Sequence, residues 1–160
     1  MTRCYVDTNF VYAHLRDPGR SSGAAVRDWR DRVLDEMADD SGVISALVID
    51  ELAYRLVLAW LADDGVRDPL STYRRQPAHA MRMVRSRLED VWSSIDGLGL
   101  ELEPTSLSTV DRAKTFMGSP GLAPRDAFHA AHAISAGCQV IASADAAFDE
   151  LWELRRIGPR

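Results

Sequence analysis

Short apolar runs at Cys4-Tyr5-Val6, Val43-Ile44 and Val140-Ile141-Ala142 stand apart from one another by stretches of helical pattern and length. This spacing constrains the fold more than any other feature. Strands joined through helices cannot pair as hairpins; they pair parallel, and a parallel sheet needs helices on both faces. The expected architecture is an α/β class, three-layer α/β/α sandwich around a central parallel sheet. The 160 residues suffice for one full core but not for two, and no repeat, linker or low-complexity tract divides them, so a single domain over 1–160 is expected.

The elements can be placed along the chain. A strand over 3–7 leads into a helix from about Asn9. Residues 24–38 form an amphipathic helix with Val26, Trp29, Val33 and Met37 on one face. A strand at 42–46 precedes a helix over 46–62, for which Ser45 is the expected N-cap. That helix carries 14 apolar residues among the 17 from Ala46 to Ala62, which predicts burial nearly all round. The segment "DDGVRDPLSTYRRQP" reads as turns, followed by a helix over 78–95. Its buried stripe is expected to be Met81, Val84, Leu88, Val91, Trp92 and Ile95, leaving Arg82, Arg85 and Arg87 outward. A strand over 99–103, a helix over 106–117, a helix opened by Pro124 and running to Ser135, a strand over 139–142 and an edge strand in "RRIGP" complete the reading.

Composition excludes several functions. No apolar run approaches the roughly 20 residues that span a bilayer, and the N-terminus lacks the pattern of a secretory signal, so a cytoplasmic protein with no membrane partner is expected. Cys4 and Cys138 lie in apolar strand contexts and are expected to be buried reduced thiols. His129 and His132 are expected to be exposed, facing away from an Ala127-Ala130-Ala131-Ile134 stripe, and a zinc site built on them lacks its further ligands. The net charge is −5, yet six arginines fall between Arg67 and Arg87 against one acid, Asp68. A local basic patch can coexist with an acidic total.

Four acids stand out by position. Asp7 closes the first strand, Glu51 lies early in the helix after the second, Asp126 opens the helix after Pro124, and Asp145 follows the last buried strand. Open parallel sheets place their sites at the carboxyl ends of strands, so these acids are candidates for one crevice. Two carboxylates about 5 Å apart repel by roughly 3 kcal/mol at an effective dielectric constant near 20. A hard divalent cation removes that conflict, and a carboxylate-rich set favours Mg²⁺ or Mn²⁺ over zinc. Taken singly, each acid has a plainer role: Asp7 as a helix cap, Asp126 as a complement to a helix dipole, Glu51 as the i,i+4 partner of Arg55, Asp145 and Asp149 as turn residues.

The ordered motifs "YVDTN", "ISALVIDEL", "LAPRDAFHAAHA" and "VIASADAAFDEL" together resemble a PIN-domain ribonuclease, more closely the VapC toxin type of toxin–antitoxin pairs, from end to end of the chain. That resemblance implies a PIN-like fold and a Mg²⁺- or Mn²⁺-dependent endoribonuclease. The catalytic acids it implies are Asp7, Glu51, Asp126 and Asp145, with Asp7, Asp126 and Asp145 on the metal and Glu51 acting on the attacking water. Thr8, Asn9 and Ser143 match the surrounding polar positions. It further implies a homodimer, an RNA substrate and a cognate antitoxin whose basic residue enters the acidic pocket. The chain departs from the pattern at Ala147, which holds a position often acidic, and Asp149 stands two residues later. The fourth and fifth acidic roles are thus open between Asp145 and Asp149. Residues 63–96 read as a helical insert longer than a minimal PIN domain needs, and its Arg74, Arg75, Arg82 and Arg85 are candidate RNA contacts. A non-catalytic PIN-like adaptor is the alternative; its expected mark is loss of the acids, and all four are present.

Overall fold

A computed structural model describes residues 3–16, 24–37 and 42–160. The chain order is β1 (Arg3–Val6), α1 (Thr8–Arg16), α2 (Ala24–Met37), β2 (Gly42–Ser45), α3 (Ala46–Asp63), α4 (Pro69–Arg75), α5 (Pro77–Gly97), β3 (Glu101–Glu103), α6 (Leu107–Gly118), α7 (Pro124–Ser135), β4 (Cys138–Ala142), a 3-10 turn (Ala146–Glu150) and β5 (Arg155–Ile157). Residue 38, assigned from sequence to the second helix, lies outside the described residues.

The five strands form one sheet in the order β3-β2-β1-β4-β5, every pair parallel. From β1 the chain steps outward through β2 to β3, then returns to the other side of β1 for β4 and β5. Right-handed crossovers put the helices of these two excursions on opposite faces. Accordingly α7 packs on β1, β2 and β4 with α6 against it, while α2 packs on β1 and β5 and α1 contacts α3. The result is the expected three-layer sandwich, with seven α-helices among the described residues.

The core is built from the strands and the inward helix faces. Cys4, Tyr5, Val6, Val43, Val140 and Ile141 are buried, with Trp29 and Val33 of α2. Trp29 Nε1 donates to the Ile157 carbonyl at 2.7 Å, tying α2 to the edge strand. Both cysteines are buried free thiols, and burial pushes each up to about 12, which keeps them protonated and inert. Gly137, at φ +73, turns the end of α7 into β4, a conformation that disfavours a side chain.

Several expectations need correction. The stretch read as turns contains α4: Asp68 caps it by accepting the Ser71 amide at 2.9 Å, and Pro69 supplies the first helical residue. On α5 the buried stripe is Ala80, Val84, Leu88, Val91 and Ile95; Met81 is exposed and Trp92 only half-buried. Small Ala80 takes the inward place because the α4–α5 segment packs tightly on Val57 and Leu61 of α3, forming a second apolar cluster beside the main core. Leu102 is exposed because β3 is an edge strand. Ser45 occupies the N-cap position of α3 but makes no capping bond; its hydroxyl meets that of Tyr5 at 2.7 Å.

Candidate metal centre

The strand order reverses between β1 and β4, and outside their carboxyl ends a crevice opens of the kind in which α/β sheets bind ligands. β1 delivers Asp7 there, 3 % exposed, with its amide bonded to the Ala142 carbonyl of β4 at 3.1 Å. The Asp7 carboxylate accepts the Thr8 amide at 2.6 Å, the Asn9 side-chain amide at 3.0 Å and the Ser143 hydroxyl at 2.5 Å. A helix cap takes the amide two or three residues on. Asp7 takes its immediate neighbour's instead, and its backbone carbonyl starts α1 by accepting from Phe10 and Val11. Thr8, Asn9 and Ser143 therefore hold the carboxylate across two strand ends.

Glu51 lies in the second turn of α3, 8 % exposed and aimed at the same crevice. Its Oε2 accepts the Thr8 hydroxyl at 3.0 Å and faces His129 Nε2 at 3.2 Å. Its Oε1 lies 3.0 Å from Arg125 Nε, yet without the alignment of a hydrogen bond, so this buried oxygen has no hydrogen-bond partner. Burial pushes the Glu51 carboxyl up, but the His129 contact, the Thr8 hydroxyl and the Arg125 charge outweigh it and leave it below the usual carboxylate range. Arg55, the expected partner of Glu51, instead donates to Asn9 Oδ1 at 2.8 Å and covers the Tyr12 ring at 4.3 Å. It stays at the solvent edge of α3 while Glu51 turns inward.

The histidine reading is overturned. His129 and His132 are each 2 % exposed, because α7 is sandwiched between the sheet and α6 and so has two buried faces. A single-stripe reading of helix periodicity holds only for helices with one dry side. His129 sits one turn after Asp126, and its Nδ1 meets the Tyr5 hydroxyl at 3.0 Å, which in turn meets Ser45. Tyr5 is wholly buried, and burial pushes its hydroxyl far above its ordinary value, so it stays protonated and supplies one proton to this chain of contacts. Single ligand atoms of Asp7, Glu51 and His129 lie within 4.8 Å of one another.

Asp126 is in the first turn of α7, as expected after Pro124. Burial and the nearby charges of Asp145, Asp7 and Glu51 push its carboxyl above the ordinary value, with His129 opposing. Asp126 thus feels the other three acids across one crevice. Asp145 heads the 3-10 turn, accepting the Ala147 amide at 2.9 Å, and its own amide donates to Ser143 Oγ at 3.0 Å. Asp149 does not join them: both its oxygens are taken by Arg156, at 2.9 and 2.6 Å, on the exposed side of the turn. Arg74, Arg75, Arg82 and Arg85 are all exposed on α4 and α5, and Arg85 pairs with Glu89 at 2.9 Å.

These residues fit a divalent cation. The close donors are carboxylate oxygens of Asp7 and Glu51 with the His129 imidazole beside them, a buried Glu51 oxygen lacks a hydrogen-bond partner, and burial together with the neighbouring acids raises Asp126. The direction of that shift gives a test. A carboxyl raised on folding stabilises the fold while protonated and withdraws that stability as pH rises through its folded value. In EDTA, Asp126→Asn is therefore expected to melt above the wild type at neutral pH. The gain should shrink as pH falls and vanish below about 3.8, the ordinary Asp value, where both chains are neutral at this position. Melting curves across pH with EDTA check this; an Asn variant that melts lower at pH 7 contradicts the repulsive cluster.

A parallel sheet in this order with two buried and two half-buried acids gathered where it reverses defines the chain as an α/β/α protein with an acidic, cation-fitting crevice. The model of the PIN domain family matches residues 4–153, and the chain belongs to that family. No curated protein sequence matches significantly. Among solved structures, the chain is similar to VapBC2 from Rickettsia felis bound to a DNA fragment from its promoter, at 17% identity and a TM-score of 0.59, over 99% of this chain and 100% of that one. It is also similar to VapC20 of Mycobacterium tuberculosis, described as a sarcin–ricin loop cleaving toxin (16% identity, TM-score 0.55, 95% and 98% covered). FitAcB from Neisseria gonorrhoeae gives 18% identity and a TM-score of 0.53, with 98% and 97% covered. At these identities the likeness is one of fold.

Sequence reasoning missed three residues here: Tyr5, Arg125 and His129. The pattern Arg125-Asp126-x-x-His129 held the signal, since i and i+3 share a helix face.

Proposed function

We propose that the chain is a Mg²⁺- or Mn²⁺-dependent endoribonuclease, the toxin of a type II toxin–antitoxin pair acting in the cytoplasm. The observation that carries this reading is the pair of buried acids Asp7 and Glu51 at the switch point of a PIN-family sheet, with Asp126 near enough to feel them and Asp145. Asp7, Asp126 and Asp145 would hold the cation, which when bound supplies charge stabilisation to the phosphate and activation of the attacking water. Glu51, held below the usual carboxylate range and thus ionised at neutral pH, orients the attacking water and accepts its proton through the Oε1 left without a hydrogen bond. Thr8, Asn9 and Ser143 fix the carboxylates by hydrogen bonds, which keeps the geometry from collapsing under repulsion. An adaptor that only binds would have no use for acids gathered at one crevice.

The test is cleavage of single-stranded RNA by the purified chain with Mn²⁺ or Mg²⁺ and silence in EDTA. Metal-independent cleavage, or none in either metal by folded chain, contradicts the reading. Its toxin role implies a homodimer and an antitoxin whose cationic residue complements the crevice. Expression without a partner should then arrest growth, and unimpeded growth with folded, cleaving protein would remove the toxin role while leaving the nuclease.

The exposed arginines supply a further expectation. Replacing Arg74, Arg75, Arg82 and Arg85 together should weaken RNA binding and flatten its dependence on salt, since each phosphate contact releases counterions. Titrations at several salt concentrations decide; an unchanged slope returns these side chains to a merely solvated face.

A further inference from the structure

A cleft of about 250 Å³ opens beside Glu51, between α3, the α4–α5 segment and the start of α7, lined by Asp50, Glu51, Tyr54, Tyr73, Met81 and Arg125 among others. Tyr54 and Tyr73 meet edge to face, ring centroids 5.6 Å apart, and both are half-buried. Tyr73 is followed by Arg74 and Arg75 at the end of α4, both exposed and without an ion pair among the described residues. Arg125, two-thirds exposed, stands at the wall shared with the acid cluster.

We propose that this cleft receives one nucleobase of a single-stranded RNA, adjacent to the phosphate at the acid cluster, stacked against the tyrosine pair; this rests on the nuclease reading above. The wall chemistry selects the occupant. Carboxylates of Asp50 and Glu51 repel a phosphate, so the uncharged base is the part of the strand that enters. Tyrosine rings and Met81 offer it a stacking and apolar surface, while Arg74, Arg75 and Arg125 hold the phosphates on either side. An aromatic platform flanked by cations is the general equipment for single strands. Glu51 belongs to both the cleft and the acid cluster, which makes this base a near neighbour of the bond that breaks. A base still stacked in a duplex cannot enter, so single-stranded or looped RNA is the substrate form. The Asp50 carboxylate only accepts hydrogen bonds, which favours a base that turns a donor edge toward it. Residues 63–96 thereby gain a role, since Tyr73 and Met81 come from that segment.

The experiment uses a short fluorescein-labelled single-stranded RNA and versions of it carrying one abasic residue, scanned along the strand. Binding by anisotropy in EDTA and single-turnover cleavage in Mn²⁺ are measured for wild type, Tyr73→Leu and Tyr73→Phe, with melting curves to confirm folding. For the wild type, one abasic position beside the cut should weaken binding roughly ten-fold, the scale of one lost stack. Tyr73→Leu should lose a similar factor on intact RNA and nothing further on that abasic strand, whereas Tyr73→Phe should behave as wild type. Equal abasic losses in wild type and Tyr73→Leu, or no abasic effect, overturn the proposal. So does a Tyr73→Leu chain that loses only a bound partner protein, with RNA binding unchanged. If wild type fails to cleave yet the base and Tyr73 remain coupled in binding, the nuclease reading fails and the base cleft stands.

Discussion

Asp7→Asn and Asp126→Asn are each expected to reduce RNA cleavage in saturating Mn²⁺ by more than roughly a hundred-fold. Residues that merely support a metal's ligands cost 10- to 100-fold when lost, and a direct ligand must exceed that scale. The fold should survive both changes. Asp7→Asn keeps an oxygen for the Thr8 amide, and Asp126→Asn removes a charge that its neighbours oppose. Binding gives a second readout independent of turnover. A cation bound only by the folded chain stabilises it by about 2.7 kcal/mol at a hundred times its dissociation constant, which for a domain of this size is roughly 5–10 °C in Tm. That Mn²⁺-induced rise should shrink sharply in both variants. Cleavage retained within a few-fold of wild type, with an undiminished Mn²⁺ shift, would remove these acids from the metal centre.

His129→Ala carries the second large effect, on stability and chemistry together. It strips a buried contact from Glu51 Oε2 and leaves the Tyr5 hydroxyl with Ser45 alone, all within the dry interior. Removing one partner from a buried hydrogen bond costs about 1–3 kcal/mol, or roughly a 2–12 °C fall in Tm. His129→Gln retains a donor and should recover part of it. If His129 also positions Glu51, the Gln variant should fold well yet cleave roughly 10- to 100-fold more slowly with KM little changed. Normal turnover in a folded Gln variant would make His129 a core histidine with no part in the reaction.

The acid cluster was legible in the sequence because its members lie where topology brings strands and helices to one edge. "YVDTN" ends a strand, "PRD" opens a helix, and "VIASAD" leaves a strand, so a parallel sheet alone aligns Asp7, Asp126 and Asp145 on its carboxyl side. Hydrophobic periodicity likewise marked α2, α5 and α7 to within a few residues, since their apolar spacing needs no distant partner to be read. Helix α4 was obscured by its own capping residues: Asp68, Pro69 and Ser71 signal a turn and a helix start alike.

What the tertiary structure alone decided concerns the second face of each element. Composition cannot say that α7 is covered on both sides, and that covering turned His129 from a solvent residue into the neighbour of Asp7 and Glu51. Nor can local spacing choose among partners, because Arg55 at i+4 and Arg125 on another helix are equally cationic; the crossing of α3 with the start of α7 gave Glu51 to Arg125. Asp149 was drawn off in the same way, by Arg156 arriving on β5 to take both its carboxylate oxygens. A parallel sheet with acids at its strand ends could be read from local patterns, because short-range spacing encodes strands, helices and their order. Which charges meet depends on contacts between residues far apart in the chain, and those exist only once the layers have packed.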